Sequence, residues 1–149
     1  MVYQQSGHGS YLIDRSHYDE RIHLVRMCGA WNMLTAHALV DEQLQLVKDH
    51  LMDKPWAGIA DMRRWELGSP ELVEFFHEGV HQLIGLNLRV HAILPNIELK
   101  QMQKMVAREY TVGIGDSQLK VRYFEDEQEA IAWCRDELAR LNYDTLRRD

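Results

Sequence analysis

The chain has 149 residues, a length that suits one domain burying its own core without staples. A composition of 46% hydrophobic and 27% charged residues is that of a folded globular protein and excludes a disordered chain. The net charge of -6 repels phosphate backbones and excludes nucleic acid as the expected partner.

No apolar run is long enough to span a bilayer, and the opening MVYQQSGHGS lacks the basic start and greasy middle of a signal peptide. The expected compartment is the cytosol. Cys28 and Cys134 stand far apart without CxxC spacing, which predicts two reduced, buried thiols and neither a disulfide framework nor a zinc knuckle.

Residues 1–9 read as a polar lead-in. Two β-favouring stretches follow, Tyr11 to Asp14 and Arg21 to Cys28, the second alternating Ile22, Leu24 and Arg26 against His23, Val25 and Met27. A turn near Ser16 to Glu20 joins them, and Gly29 is expected to end the second. Asn32 suits a helix cap, and Ala36, Leu39, Val40, Leu44, Val47 and Leu51 recur at helical spacing. Pro55 stops that helix, and Trp56 to Met62 has the continuous apolar character of a strand covered on both faces.

Ser69 followed by Pro70 signals a second helix, because a serine oxygen can cap the first turn while proline at its first position gives up no needed N–H. That helix is predicted to run to Ile84, with Gly85 as its stop. Leu88 to Leu94 is the next strand, closed by Pro95. Ile97 to Tyr110 reads as a third helix with the thin stripe Leu99, Met102, Met105 and Val106. Leu119 to Phe124 is a last strand, and Glu127 to Leu141 a last helix with Ile131, Cys134, Leu138 and Leu141 facing inward. Residues 142–149 read as a polar tail. The order β-β-α-β-α-β-α-β-α predicts one α/β domain with a largely parallel central sheet, helices packed on it and the first strand as an antiparallel edge.

Three strings carry a resemblance: GAWN at 29–32, KPWAGIADMRRWEL at 54–67 and YFEDEQEAIAW at 123–133. Together they resemble the SpoIIAA-like branch of the STAS fold, small bacterial domains, over roughly Gly9 to Leu138. The resemblance implies a binding or regulatory domain, not an enzyme, and suggests an apolar or lipid-like ligand. In related STAS proteins a serine at a helix start is phosphorylated to control an anti-sigma partner. Gly68, Ser69, Pro70 and Glu71 stand where that motif would read Asp-Ser-Ser-Gly, so Ser69 is a phospho-switch or simply a helix cap.

In open α/β sheets ligands enter at the carboxyl ends of strands. Those ends carry Trp31 and Asn32, then Arg63, Arg64, Trp65 and Leu67, then Pro95, with Met102 and Met105 on the third helix. Two indoles with two guanidinium groups suit an amphiphile with an anionic head. Alternatively, Trp31 and Trp65 close the core and the arginines face water. The third helix is a lid, a surface helix or half of a homodimer contact.

The one string that looks like chemistry is His77-Glu78-Gly79-Val80-His81, a match to HExxH, in which two histidines one turn apart hold zinc and the glutamate activates water. Val73, Phe76, Val80, Leu83 and Ile84 share the inner face, which places His77 at its border, His81 beyond it and Glu78 nearly opposite. The positions after His81 lack the third histidine of the longer motif. The expectation is a non-enzymatic binding domain without a cofactor, holding a small apolar or amphiphilic ligand. The alternatives are a protein-interaction module, as a homodimer or a partner switch, and, remotely, a zinc hydrolase through His77 and His81.

Overall fold

The computed structural model describes residues 4–5, 9–66, 69–97 and 119–148. Among these, six strands form one sheet in chain order: β1 (Gln4–Gln5), β2 (Ser10–Asp14), β3 (Ile22–Ala30), β4 (Trp56–Glu66), β5 (Leu88–Pro95) and β6 (Lys120–Tyr123). The helices are α1 (Met33–His50), α2 (Pro70–Gly85) and α3 (Glu127–Arg148). β1, β2 and β3 pair antiparallel, whereas β3 to β6 run parallel.

Right-handed crossovers between parallel neighbours put α1 and α2 side by side on one face of this sheet. α3, after the last strand, packs on the other face over β4 and β5. The central strands are therefore covered twice, which explains their near-continuous apolar sequences. On β3, Val25 and Met27 join the core beneath α1 and α2, while Ile22 and Leu24 join the core beneath α3. The predicted alternation is the observed one.

Asn32 caps α1 by accepting from the Thr35 N–H at 3.0 Å. The other end of α1 is tied down from afar. Arg21, in left-handed backbone at φ 64, donates to the carbonyls of Leu51, Lys54 (2.8 Å) and Pro55 (2.9 Å). These carbonyls lie at the end of a helix and in its exit loop, where intrahelical donors run out.

Several boundaries differ from expectation. The polar lead-in contains β1, so β2 is not the edge of the sheet. Gly29 does not end β3: at φ 78 it lets the strand continue to Ala30. β4 runs on to Glu66 through a register shift in which Arg26 faces Asp61 and Cys28 faces Arg64. The extra residue is a bulge that turns Met62 and Trp65, three positions apart, to the same face. The supposed polar tail is the end of α3, which is helical to Arg148. Ser69 holds the cap position of α2, but its side chain makes no capping hydrogen bond. Pro70, with its fixed φ, preorganises that first turn instead. Most of the predicted third helix, with Met102 and Met105, lies outside the described residues, as does Leu67.

Candidate functional site

The strand-end residues divide between the two faces. Trp31 and Trp65 are 6% and 1% exposed and meet edge to face, with ring centroids 6.3 Å apart. Phe76 of α2 lies 6.1 Å from both indoles, and Tyr11 of β2 lies 6.1 Å from Trp31. Trp31 Nε1 donates to the Cys28 carbonyl at 2.9 Å. This cluster is core, worth roughly 0.5–1.5 kcal/mol per aromatic pair beyond simple burial. Asn32 is occupied as a cap, and Pro95 is buried opposite Met62.

Arg63 and Arg64 do not join the indoles. The bulge sends them to a polar cleft of about 490 Å³ toward α3, lined also by Arg26, Cys28, Asp61 and Glu127. Asp61, buried within β4 and not at its end, accepts from Arg63 Nε at 2.9 Å, Nη2 at 2.8 Å and the backbone N–H at 3.2 Å. Arg26 reaches Glu127 at 2.5 Å and lies 3.5 Å from Asp14 and 3.6 Å from Asp61. The guanidinium groups of Arg26 and Arg63 are held by carboxylates. The arrangement closes an ion-pair network between strand ends and the start of α3.

Space for a guest lies beneath the indoles instead. Between the sheet and the α1/α2 pair runs a slot of about 90 Å³, walled by Val25, Met27, Leu39, Trp56, Met62, Trp65, Phe76, Val80, Leu83 and Leu88. Its polar groups come from His23, Gln43 and His91. Sequence reasoning singled out none of these three. The available signal was a histidine inside each of two strands whose neighbours are apolar on both faces.

His23 is 2% exposed and hydrogen-bonded at both nitrogens, to Tyr18 Oη at 2.7 Å and to Gln43 Oε1 at 2.9 Å. With the amide oxygen as acceptor, Nε2 carries the proton and Nδ1 accepts from the phenol. Burial pushes the His23 imidazole down to about 4, against the opposing bond to Gln43. Burial likewise raises Tyr18 to about 12 and keeps its phenol a donor. Nδ1 of His91 lies 3.2 Å from the Gly58 carbonyl, and burial lowers this imidazole to about 4. Both rings are neutral near pH 7, so the slot holds no net charge from them.

On the outer side of α2, His77 is half-buried and His81 exposed, with Nε2 atoms 3.1 Å apart. Glu78 is exposed, and among the described residues no group of three or more His, Cys, Asp or Glu side chains could hold a metal ion. Cys134 is buried, its thiol pushed up to about 12 by burial and by Glu137, whereas Cys28 is only partly buried, contrary to expectation. Both thiols are free. Among the described residues no helix is long and apolar enough to cross a membrane.

No family model matches the sequence, and no curated protein matches it. A structural likeness exists to the crystal structure of an uncharacterized protein from the DUF3478 family, with a SpoIIAA-like fold, from Shewanella loihica PV-4. The TM-score is 0.59 at 16% identity, over 90% of this chain and 99% of that one. The fold is therefore α/β and SpoIIAA-like, as the sequence strings implied.

Proposed function

We propose that this protein is a non-catalytic binding domain whose slot between β3–β5 and the α1/α2 pair takes a slender apolar group, such as a short alkyl chain. One observation carries the reading: protein interiors are close-packed with few voids, yet this core keeps a cavity of about 90 Å³ with almost wholly apolar walls. Ligand sites are mostly apolar with a few placed polar groups, here His23, Gln43 and His91 at the slot wall. Pockets for drug-sized molecules measure roughly 300–1,000 Å³, so the guest is thin, or only its chain enters. Of the two strand-end indoles, Trp65 is a wall of the slot and Trp31 packs against Trp65, and neither serves as the platform expected from that position.

Trp56 and Trp65 line the slot, so indole fluorescence reports its filling. Titration with 1-hexanol should give a saturable change. Gly58→Ala supplies a matched control, because its new Cβ would stand 3.4 Å from Leu88 Cδ1 and 3.6 Å from Trp56 Cζ3, filling space without a clash. Its response to hexanol should be clearly weaker. An unsaturable response, identical in both proteins, would remove the proposal.

A further inference from the structure

We propose that His77 and His81 chelate one borderline divalent transition metal ion, of the copper(II), nickel(II) or zinc(II) class, across a single turn on the outer side of α2. The two Nε2 atoms face each other at 3.1 Å, with ring centroids 4.6 Å apart. With metal–nitrogen bonds of about 2.05 Å, nitrogens at 3.1 Å subtend roughly 100° at the ion. That lies between the right angle of tetragonal sites and the tetrahedral angle, the geometries these ions accept. Histidines one turn apart on a helix share a face, so chelation needs no backbone change.

As far as the described residues reach, water completes the proposed shell. Among the described residues no third His, Cys, Asp or Glu joins the pair, which distinguishes this site from a three-ligand hydrolase centre. His81 is exposed and gives solvent access to the ion.

The position gives the site a structural consequence. Gly79, a weak helix former, lies between the two ligands, and chelation across it fixes this turn as helix. Phe76 and Val80, adjacent in sequence to the two ligands, are walls of the apolar slot. An ion on the outside of α2 thus braces the helix whose inside bounds the cavity.

The test is calorimetric titration of the full-length, tag-free chain with nickel(II) and copper(II). One ion should bind per chain. His77→Ala and His81→Gln should each weaken binding by about tenfold or more, whereas His37→Ala, removing another exposed imidazole, should leave it unchanged. His81→Cys, which retains a metal donor, should recover part of the affinity. Nickel(II) should also raise the thermal midpoint of the wild type and not that of His81→Gln. Equal binding by the wild type and a His77→Ala/His81→Gln double variant would overturn the assignment.

Discussion

Gly9 lies flat against the indole of Trp31. A Cβ added at Gly9 would stand 2.8 Å from Trp31 Nε1 and 2.9 Å from the Cys28 carbonyl oxygen, and the residue has φ 84. Gly29, at φ 78, lies just beyond, so the two glycines let the backbone of the β2 entry and the end of β3 approach each other. Only a residue without a side chain fits at Gly9, for reasons of both space and backbone conformation. Gly9→Ala should therefore lose roughly 2–4 kcal/mol, combining left-handed strain with overpacking. Urea denaturation checks this, and a loss within experimental error would mean that the Trp31 cluster can shift at little cost.

A second glycine behaves in the opposite way. Gly79 sits inside α2, and the nearest atom to an added Cβ is Val40 Cγ2 of α1 at 3.8 Å, an ordinary van der Waals distance. Gly79→Ala should gain helix propensity and a small contact together, for a stabilisation of about 1 kcal/mol. Thermal unfolding should show a higher midpoint. A lower one would place Val40 under more strain than the 3.8 Å separation implies.

The buried histidines set the acid limit of the fold. In the folded state burial holds His23 and His91 at about 4, against an ordinary value of 6.5. Between those values the unfolded chain binds protons that the folded chain does not, so stability rises with pH. It is lost as pH falls from 6.5 through about 4 and is fully present above 6.5. Each ring contributes up to about 3 kcal/mol across that window. Chemical denaturation at about pH 7 and about pH 4.5 measures the slope, and His23→Gln should flatten it by the share of one proton. An unchanged slope in that variant would mean that His23 gains solvent or a proton in the native state.

Much of this fold was legible because periodicity and punctuation agreed. The two-faced alternation of Ile22 to Met27, the helical spacing of Ala36 to Leu51 and the Ser69-Pro70 start each follow from local physics. The misjudged ends were those without a local signal. Gln4 and Gln5 carry no β-favouring side chain, and their pairing with Ser10 and Tyr11 is supplied by the neighbouring strand. Beyond Leu141 the sequence Asn-Tyr-Asp-Thr-Leu-Arg-Arg carries no sustained apolar stripe, so periodicity gave no reason to extend the helix.

The candidate site was less legible than the fold. A bulge between Met62 and Trp65 shifts the phase of β4 by one residue, and a strict period of two would have misassigned Trp65 to the face of Asp61. That shift separates the indoles from Arg63 and Arg64, which sequence proximity had grouped as one binding surface. The slot itself is built from Val, Leu, Met and Trp side chains indistinguishable in sequence from solid core. A void is a property of how these side chains fail to meet, and no single residue encodes it.

The ion-pair network at the carboxyl ends of β3 and β4 offers the last test. Arg26 lies 2.5 Å from Glu127, at the first turn of α3, and 3.6 Å from the buried Asp61, while Asp14 stands 3.5 Å away. All four side chains are largely screened from water, the most exposed being Arg26 at 21%. Removing the cation leaves three carboxylates facing one another, with Arg63 held against Asp61 at 2.8 Å and standing 3.6 Å from Glu127. Arg26→Met should therefore destabilise by about 2–3 kcal/mol. Glu127→Gln should cost less, about 1 kcal/mol, because it removes a charge favoured by the N-terminus of α3 but leaves a hydrogen-bonding amide in place. In a double-mutant cycle the pair should couple by roughly 1–2 kcal/mol with weak dependence on salt, since burial limits screening. Additive single effects would show that Arg26 is held by Asp14 and Asp61 and not by Glu127.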